Sequence, residues 1–158
     1  YKILKINPKS IIIRTNFYCF GNKERQSFSD IILKSLRSKK KISLFRDVNY
    51  TPIYGKYLLK YLFKLIKLKK SGIYNISSNE IITKYNFGKK ICDIFKLNKK
   101  LINVGYLKNR NDLVKRPFNM ALDNTKLKKT LNIKIPSINY QIQVMKKDFI
   151  RLKKWHLE

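Results

Sequence analysis

The residues best suited to chemistry lie between Lys115 and Leu127, in the run KRPFNMALDNTKL. Pro117 restricts the backbone of Arg116 to an extended conformation. An arginine held that way offers a planar fork matched to a phosphate or diphosphate. Asn119, three residues on, adds amide donors and an acceptor that can read a hydroxyl or the backbone. The alternative is that Arg116 pairs with a carboxylate and Asn119 stabilises a turn; spacing alone leaves both open. Asp123 reads as a helix cap, because an exposed cap needs only its side-chain oxygen.

A second group is Arg14-Thr15-Asn16-Phe17, where an apolar strand runs out into a loop. In open α/β sheets ligands bind at the carboxyl ends of strands. Thr15 and Asn16 are placed there to face a ligand, with Phe17 as an apolar or stacking wall. The competing reading is a strand end whose polar side chains satisfy loose backbone groups. Other candidates carry less. His156 is the only histidine, has no partner in sequence and reads as a surface residue. Cys19 lacks a paired base and reads as a small buried hydrophobe. Cys19 and Cys92 have no metal-ligand spacing, and no paired-carboxylate motif occurs, so no metal site is expected.

These groups need elements to hold them. Ser10 to Phe17 (SIIIRTNF) carries three consecutive isoleucines, the pattern of a strand buried on both faces. Gly21 to Glu24 is a turn, and Ser27 or Ser29 caps a helix with Phe28, Ile31, Ile32 and Leu36 on one side. Lys41 to Phe45 reads as a strand and Asp47 to Gly55 as a loop around Pro52. Tyr57 to Lys70 is a helix expected to turn Leu58, Leu59, Leu62, Phe63, Leu65 and Ile66 inward, with Lys60, Lys64 and Lys67 solvated. A membrane-surface helix is the other reading of this pattern. Gly72 to Ser77 is a strand. Thr83 caps a helix bearing Phe87, Ile91, Ile94 and Phe95, and Leu101 to Tyr106 is a short strand. Asp123 or Asn124 caps a helix bearing Leu127 and Leu131. Pro136-Ser137 opens a last helix with Ile138, Ile142, Met145, Phe149 and Leu152 in register. Strands alternating with helices mean an α/β fold.

Length and composition bound the function. The 158 residues are 44% hydrophobic and 13% aromatic, which fits a globular fold of one domain or a large part of one. The chain begins at Tyr1, as a fragment would. No apolar run approaches the roughly 18 residues of a membrane span, and two cysteines are too few for a disulfide framework, so a cytoplasmic location is expected. The net charge of +28 raises nucleic acid as a partner. Against it, lysine greatly outnumbers arginine and is spread along the whole chain, beside many Ile, Asn, Tyr and Phe and a single alanine, Ala121. That pattern fits a genome-wide composition bias, and base readout favours arginine.

Taken in order, IIIRTNF, SFSDIILKSLRSKKKISLF, TPIY (Thr51 to Tyr54), SGIYNISSNEIITKYNFGKKICDIFKL and KRPFNMALDNTKLKKTLNIKIPS resemble the dTDP-4-dehydrorhamnose reductase-like group of extended short-chain dehydrogenases/reductases. The resemblance runs from about Ile11 to about Ile142, and its RP-x-N-x-x-L-D-x-x-K-L block is the most specific part. It implies the C-terminal part of a Rossmann-type enzyme over residues 1–158, the end of the nucleotide-binding sheet plus a small substrate-binding domain. It further implies a nucleotide-activated deoxysugar as substrate, NADPH or NADH as cofactor, and a homodimer as one state open to the intact enzyme. By the family pattern Asn16 and Phe17 border the sugar and nicotinamide, Thr51 and Pro52 lie in a loop at the pocket rim, and Arg116 sits near the diphosphate or sugar hydroxyls. The residue reading adds Asn119 as a substrate-binding and Thr15 as a cofactor-binding residue. Neither the family's G-x-x-G-x-x-G loop nor its catalytic Tyr and Lys is found. Tyr1 and Lys5 share the Y-x-x-x-K spacing, but in the family a full helix follows the lysine, and here only Ile6 to Lys9 precede the strand. No catalytic residue is therefore assigned. A sugar-nucleotide epimerase or dehydratase fragment and a basic nucleic-acid-binding domain are the rival expectations.

Overall fold

A computed structural model describes residues 2–21 and 24–155. His156, Tyr1 and part of the expected Gly21–Glu24 turn lie outside them. Strands alternate with helices, and four of the five strand pairings among the described residues are parallel, so the chain is α/β. After α1 (Lys2–Ile6), β1 (Ile11–Thr15) runs parallel to β6 (Gly72–Ile76), with Thr15 opposite Ile76. The expected strand to Phe17 is broken at Asn16, and β2 (Phe17–Tyr18) departs to pair with β5 (Ile53–Tyr54). The break follows from Asn16 itself, whose backbone carbonyl accepts from Ile53 N at 3.0 Å. Nor is β1 buried on both faces. Its isoleucines are half-buried and Arg14 is exposed.

α2 (Phe28–Arg37) starts in a reciprocal cap. The Ser27 hydroxyl accepts from Asp30 N, and the Asp30 carboxylate accepts from Ser27 N at 2.9 Å. Ile32 and Leu36 are buried as expected, whereas Ile31 is exposed. β3 (Ile42–Phe45) pairs with β8 (Ile102–Gly105). The segment Asp47–Gly55 is not a loop. It holds β4 (Asn49–Tyr50) and β5, and Gly55 already opens α3 (Gly55–Lys67). Its Tyr50, Ile53 and Tyr54 are buried core residues on either side of Pro52.

α3 departs from the expected inward apolar face. Tyr61 and Leu65 are its buried anchors, while Leu59, Phe63 and Ile66 are more than half exposed. At 100° per residue, Leu59, Phe63 and Ile66 fall between the core-facing stripe and the Lys56–Lys60–Lys64–Lys67 stripe. α4 (Lys84–Phe95) is capped by Thr83, whose Oγ1 accepts from Asn86 N at 3.1 Å, and buries Phe87, Ile91 and Phe95. α5 (Thr125–Leu131) buries Leu127 and Leu131. α6 (Ile138–Trp155) buries Ile138, Ile142 and Met145 completely, but Leu152 is half exposed where the helix outruns the body. Cys19 is only half-buried, and Cys92 is fully buried. No helix among the described residues is long and apolar enough to cross a membrane. Exposed lysines stand on α1, α2, α3, α5 and α6, so they form no single basic face.

Candidate functional site

The site is organised by a three-stranded sheet in which β4 lies between β7 (Ile82–Thr83) and β9 (Asn119–Met120). Asn49 is opposite Thr83 on one side and Asn119 on the other. The KRPFN segment is thereby laid beside the segment that precedes Thr51. Asn16 joins them from the end of β1, its Nδ2 donating to Met120 O at 2.7 Å. Thr51 is buried, and its Oγ1 accepts from Leu122 N at 3.1 Å. Asn119 Oδ1 accepts from Ala121 N at 3.0 Å. Residues separated by more than 100 positions thus meet on one short stretch, 119–122.

These bonds also show what the side chains have left to offer. The Asn16 amide nitrogen, the Thr51 hydroxyl oxygen and the Asn119 carbonyl each serve the backbone of 119–122. They brace the segment; Asn16 and Asn119 each keep a second amide atom for a ligand, whereas Thr51, buried, has only its hydroxyl. Thr15 differs. Its Oγ1 is buried with no hydrogen-bond partner, as are Asn75 Oδ1 and the phenol oxygens of Tyr18 and Tyr50. A buried hydroxyl without a partner costs on the order of 1–3 kcal/mol. Phe17, at 56% exposure, presents its ring to solvent beside Asn16. The N-cap of α5 is Asn124, without a side-chain cap bond, and Asp123 instead closes a turn one residue ahead of it. Asp123 Oδ1 accepts from Thr125 N and Oγ1, which with the charge of Lys128 holds its carboxyl below the usual range.

Arg116 is exposed and pairs with no carboxylate among the described residues. It lines a cleft of about 590 Å³ together with Lys108, Arg110 and Phe118. Arg110 is already neutralised by Asp112 through two hydrogen bonds of 2.7 and 2.6 Å. Asp47 spends both oxygens on Leu107 N and Lys108 N, pinning the entry to the cleft and lowering its own pKa. Arg116 is therefore the cleft's arginine whose charge is not cancelled, and Lys108 and Lys115 add ammonium groups unpaired among the described residues to the same lining.

Two groups escaped sequence reasoning. Asn124 is buried, and its Nδ2 donates to Ser77 O and Ser78 O at 3.0 and 2.9 Å, fixing the end of the RPFN segment against β6. Sequence offers no signal for this, since an Asn ahead of a helix reads as a cap. Lys84 lies at the first position of α4 with its ammonium 4.3 Å from the Phe28 ring centroid and 5.0 Å from that of Tyr50. A signal did exist, because a cation in a helix's first turn opposes the macrodipole. Among the described residues no cluster of His, Cys, Asp and Glu could hold a metal ion.

Comparison with known proteins follows the same outline. The family model described as the RmlD substrate binding domain matches residues 1–150. A probable low-salt glycan biosynthesis reductase of Haloferax volcanii is 22% identical over 153 residues, covering 94% of this chain and 51% of that protein. Among solved structures, the dTDP-4-dehydrorhamnose reductase of Bacillus anthracis, in complex with NADP, superposes with a TM-score of 0.78 at 20% identity. That match covers 87% of this chain and 48% of the other. The Clostridium acetobutylicum protein of the same description gives 0.77 at 21% identity, covering 96% and 51%. The dTDP-glucose 4,6-dehydratase of Bacillus anthracis gives 0.74 at 16% identity, covering 98% and 49%. The chain spans about half the length of these relatives, and at such identities the structural likeness establishes a shared fold.

Proposed function

The chain belongs to the RmlD substrate binding domain family, and from that premise we propose that it seats the nucleotide-activated deoxysugar of an NAD(P)-dependent sugar-nucleotide reductase. The observation that carries this reading is the convergence of Asn16 and Thr51 on Met120 and Leu122, beside Asn119, next to a cleft holding an unpaired Arg116. In this reading Arg116 takes the diphosphate, Asn119 and Asn16 offer their remaining polar atoms to sugar hydroxyls, Phe17 walls the sugar, and Thr51 holds the rim. The net charge of +28 steers an anionic substrate toward the surface. The chain's contribution to catalysis is positioning, which can supply a large share of a rate enhancement without a reacting side chain.

A nicotinamide cofactor fits these residues only in part. The unpartnered Thr15 hydroxyl at the carboxyl end of β1 is suited to its edge. The 158 residues contain no G-x-x-G-x-x-G sequence to cradle the dinucleotide phosphates. In this reading hydride transfer and the Tyr–Lys proton donor belong to a nucleotide-binding half outside these residues. The structural likeness to a 4,6-dehydratase supports a second reading, a dehydratase or epimerase parent, since a substrate seat does not declare the reaction. The scattered lysines count against a nucleic-acid-binding domain.

Calorimetric titration with a dTDP-hexose tests the proposal. One-site saturable binding is expected, at least tenfold tighter than inorganic pyrophosphate. Affinity no better than that of pyrophosphate overturns it.

A further inference from the structure

We propose that Lys84 is the second cation of the diphosphate seat, acting with Arg116 from the opposite flank of β4. This rests on the sugar-nucleotide reading above and extends it to a residue outside the RPFN segment.

The topology places the two together. Lys84 N donates to Val48 O at 3.2 Å, and Asn49 N donates to Phe118 O at 2.8 Å. Lys84 and the Arg116–Phe118 segment therefore leave the same end of the sheet, on either side of β4. Their backbones are about two strand spacings apart, roughly 9–10 Å, a gap that two long cationic side chains close from both sides.

The environment of Lys84 lacks what a cation ordinarily finds. Its ammonium is half-buried over the Phe28 and Tyr50 rings, and it forms no ion pair. Seven carboxylates are committed elsewhere: Asp30 to the α2 cap, Asp47 to the backbone at 107–108, and Glu80 to Ile138 N; Asp93 to Lys99, Asp112 to Arg110, Asp123 to Thr125, and Asp148 to Lys56. The position is also the first residue of a 12-residue helix, where free N–H groups favour an anion and oppose a cation. Burial, and after it the charge of Arg116, lowers the pKa of Lys84. The Tyr50 ring that this ammonium overlies carries a hydroxyl buried without a partner. Desolvation, like charge and helix dipole all act against Lys84, and the two rings offset only part of that. A ligand bearing two adjacent negative charges relieves all three at once. A diphosphate is such a ligand.

The test is calorimetry of the 158-residue chain with dTDP, inorganic pyrophosphate and thymidine at about 0.15 M salt, where surface charge is screened beyond roughly 8 Å. Lys84→Met is expected to weaken dTDP about tenfold, with Lys84→Arg within about threefold of the unmodified chain. Lys60→Met, removing an equal charge from α3, is expected to leave binding unchanged, and thymidine to respond to none of them. Lys84→Met should melt no lower than the unmodified chain, which separates lost affinity from lost fold. If Lys84→Met binds dTDP normally while Arg116→Ala does not, the role of Lys84 is refuted and the sugar-nucleotide reading stands. Equal losses in Lys84→Met and Lys60→Met reduce the effect to net charge and refute it as well. Pyrophosphate bound as tightly as dTDP, with the same dependence on Lys84, supports the seat and overturns the sugar-nucleotide reading. No binding of dTDP by the unmodified chain, or no effect of either Lys84→Met or Arg116→Ala, overturns both.

Discussion

Replacing Arg116 by alanine is expected to weaken binding of a dTDP-hexose by about ten- to a hundredfold, the scale of one lost charge-assisted contact of about 1.5–3 kcal/mol. The side chain is exposed and unpaired, so its removal strands no buried carboxylate and costs little stability. The loss should therefore appear in affinity with the melting temperature unchanged. Pro117 has already restricted the backbone at this position, so less conformational entropy is lost when the guanidinium engages a ligand. Arg110→Ala in the same cleft is the control. Asp112 already pairs with the Nε and one terminal nitrogen of Arg110, so this variant should change affinity less than threefold. Unchanged affinity in Arg116→Ala, or an equal loss in Arg110→Ala, contradicts the role given to Arg116.

Phe87→Ala is expected to cost about 3–5 kcal/mol of folding stability, read from chemical denaturation. The ring is fully buried and meets three others: Tyr18 at 4.9 Å edge-on, Tyr50 at 5.8 Å and Phe28 at 6.2 Å between centroids. Tyr18 follows Phe17, Tyr50 precedes Thr51, and Phe28 underlies Lys84. The cavity would thus loosen the elements that bring the site together. Leu44 packs against the helix beside it, its Cδ1 only 2.2 Å from where a methyl group on Gly88 would stand. With only about 5–15 kcal/mol available to a typical domain, Phe87→Ala should also weaken sugar-nucleotide binding through partial unfolding, and Phe87→Leu much less. A loss below about 1 kcal/mol would mean that Phe87 is not the hub of this core.

The sequence made helices and the longer strands legible because their signals are local. Three isoleucines mark β1, Ser27 and Thr83 mark the starts of α2 and α4, and Ile138, Ile142 and Met145 mark the buried side of α6. What was not legible depends on distant partners. β4 and β5 are two residues each, and β4 exists because Thr83 and Asn119 arrive from 34 and 70 positions away. Nothing within Asp47–Gly55 announces that. α3 was misread for a different reason. Its composition reveals that Leu59, Phe63 and Ile66 are apolar, but not that the body of the protein covers only the Tyr61–Leu65 side. For the site, residue types and family resemblance selected Asn16, Thr51, Arg116 and Asn119. Only the folded chain brings Asn16 and Thr51 onto Met120 and Leu122, each with one polar atom, beside Asn119. Lys84 carried its signal in plain view at a helix start, yet became meaningful only once Arg116 was placed beside it.

The most direct test of the account is an amide NMR titration of the chain with a dTDP-hexose, following which residues respond as the site fills. The expected result is saturable shifts confined to residues 14–17, 49–51, 83–85 and 116–122. Shifts spread over the lysine-bearing faces of α3, α5 and α6, or no saturable shift at all, would contradict the assignment of a sugar-nucleotide seat to this chain.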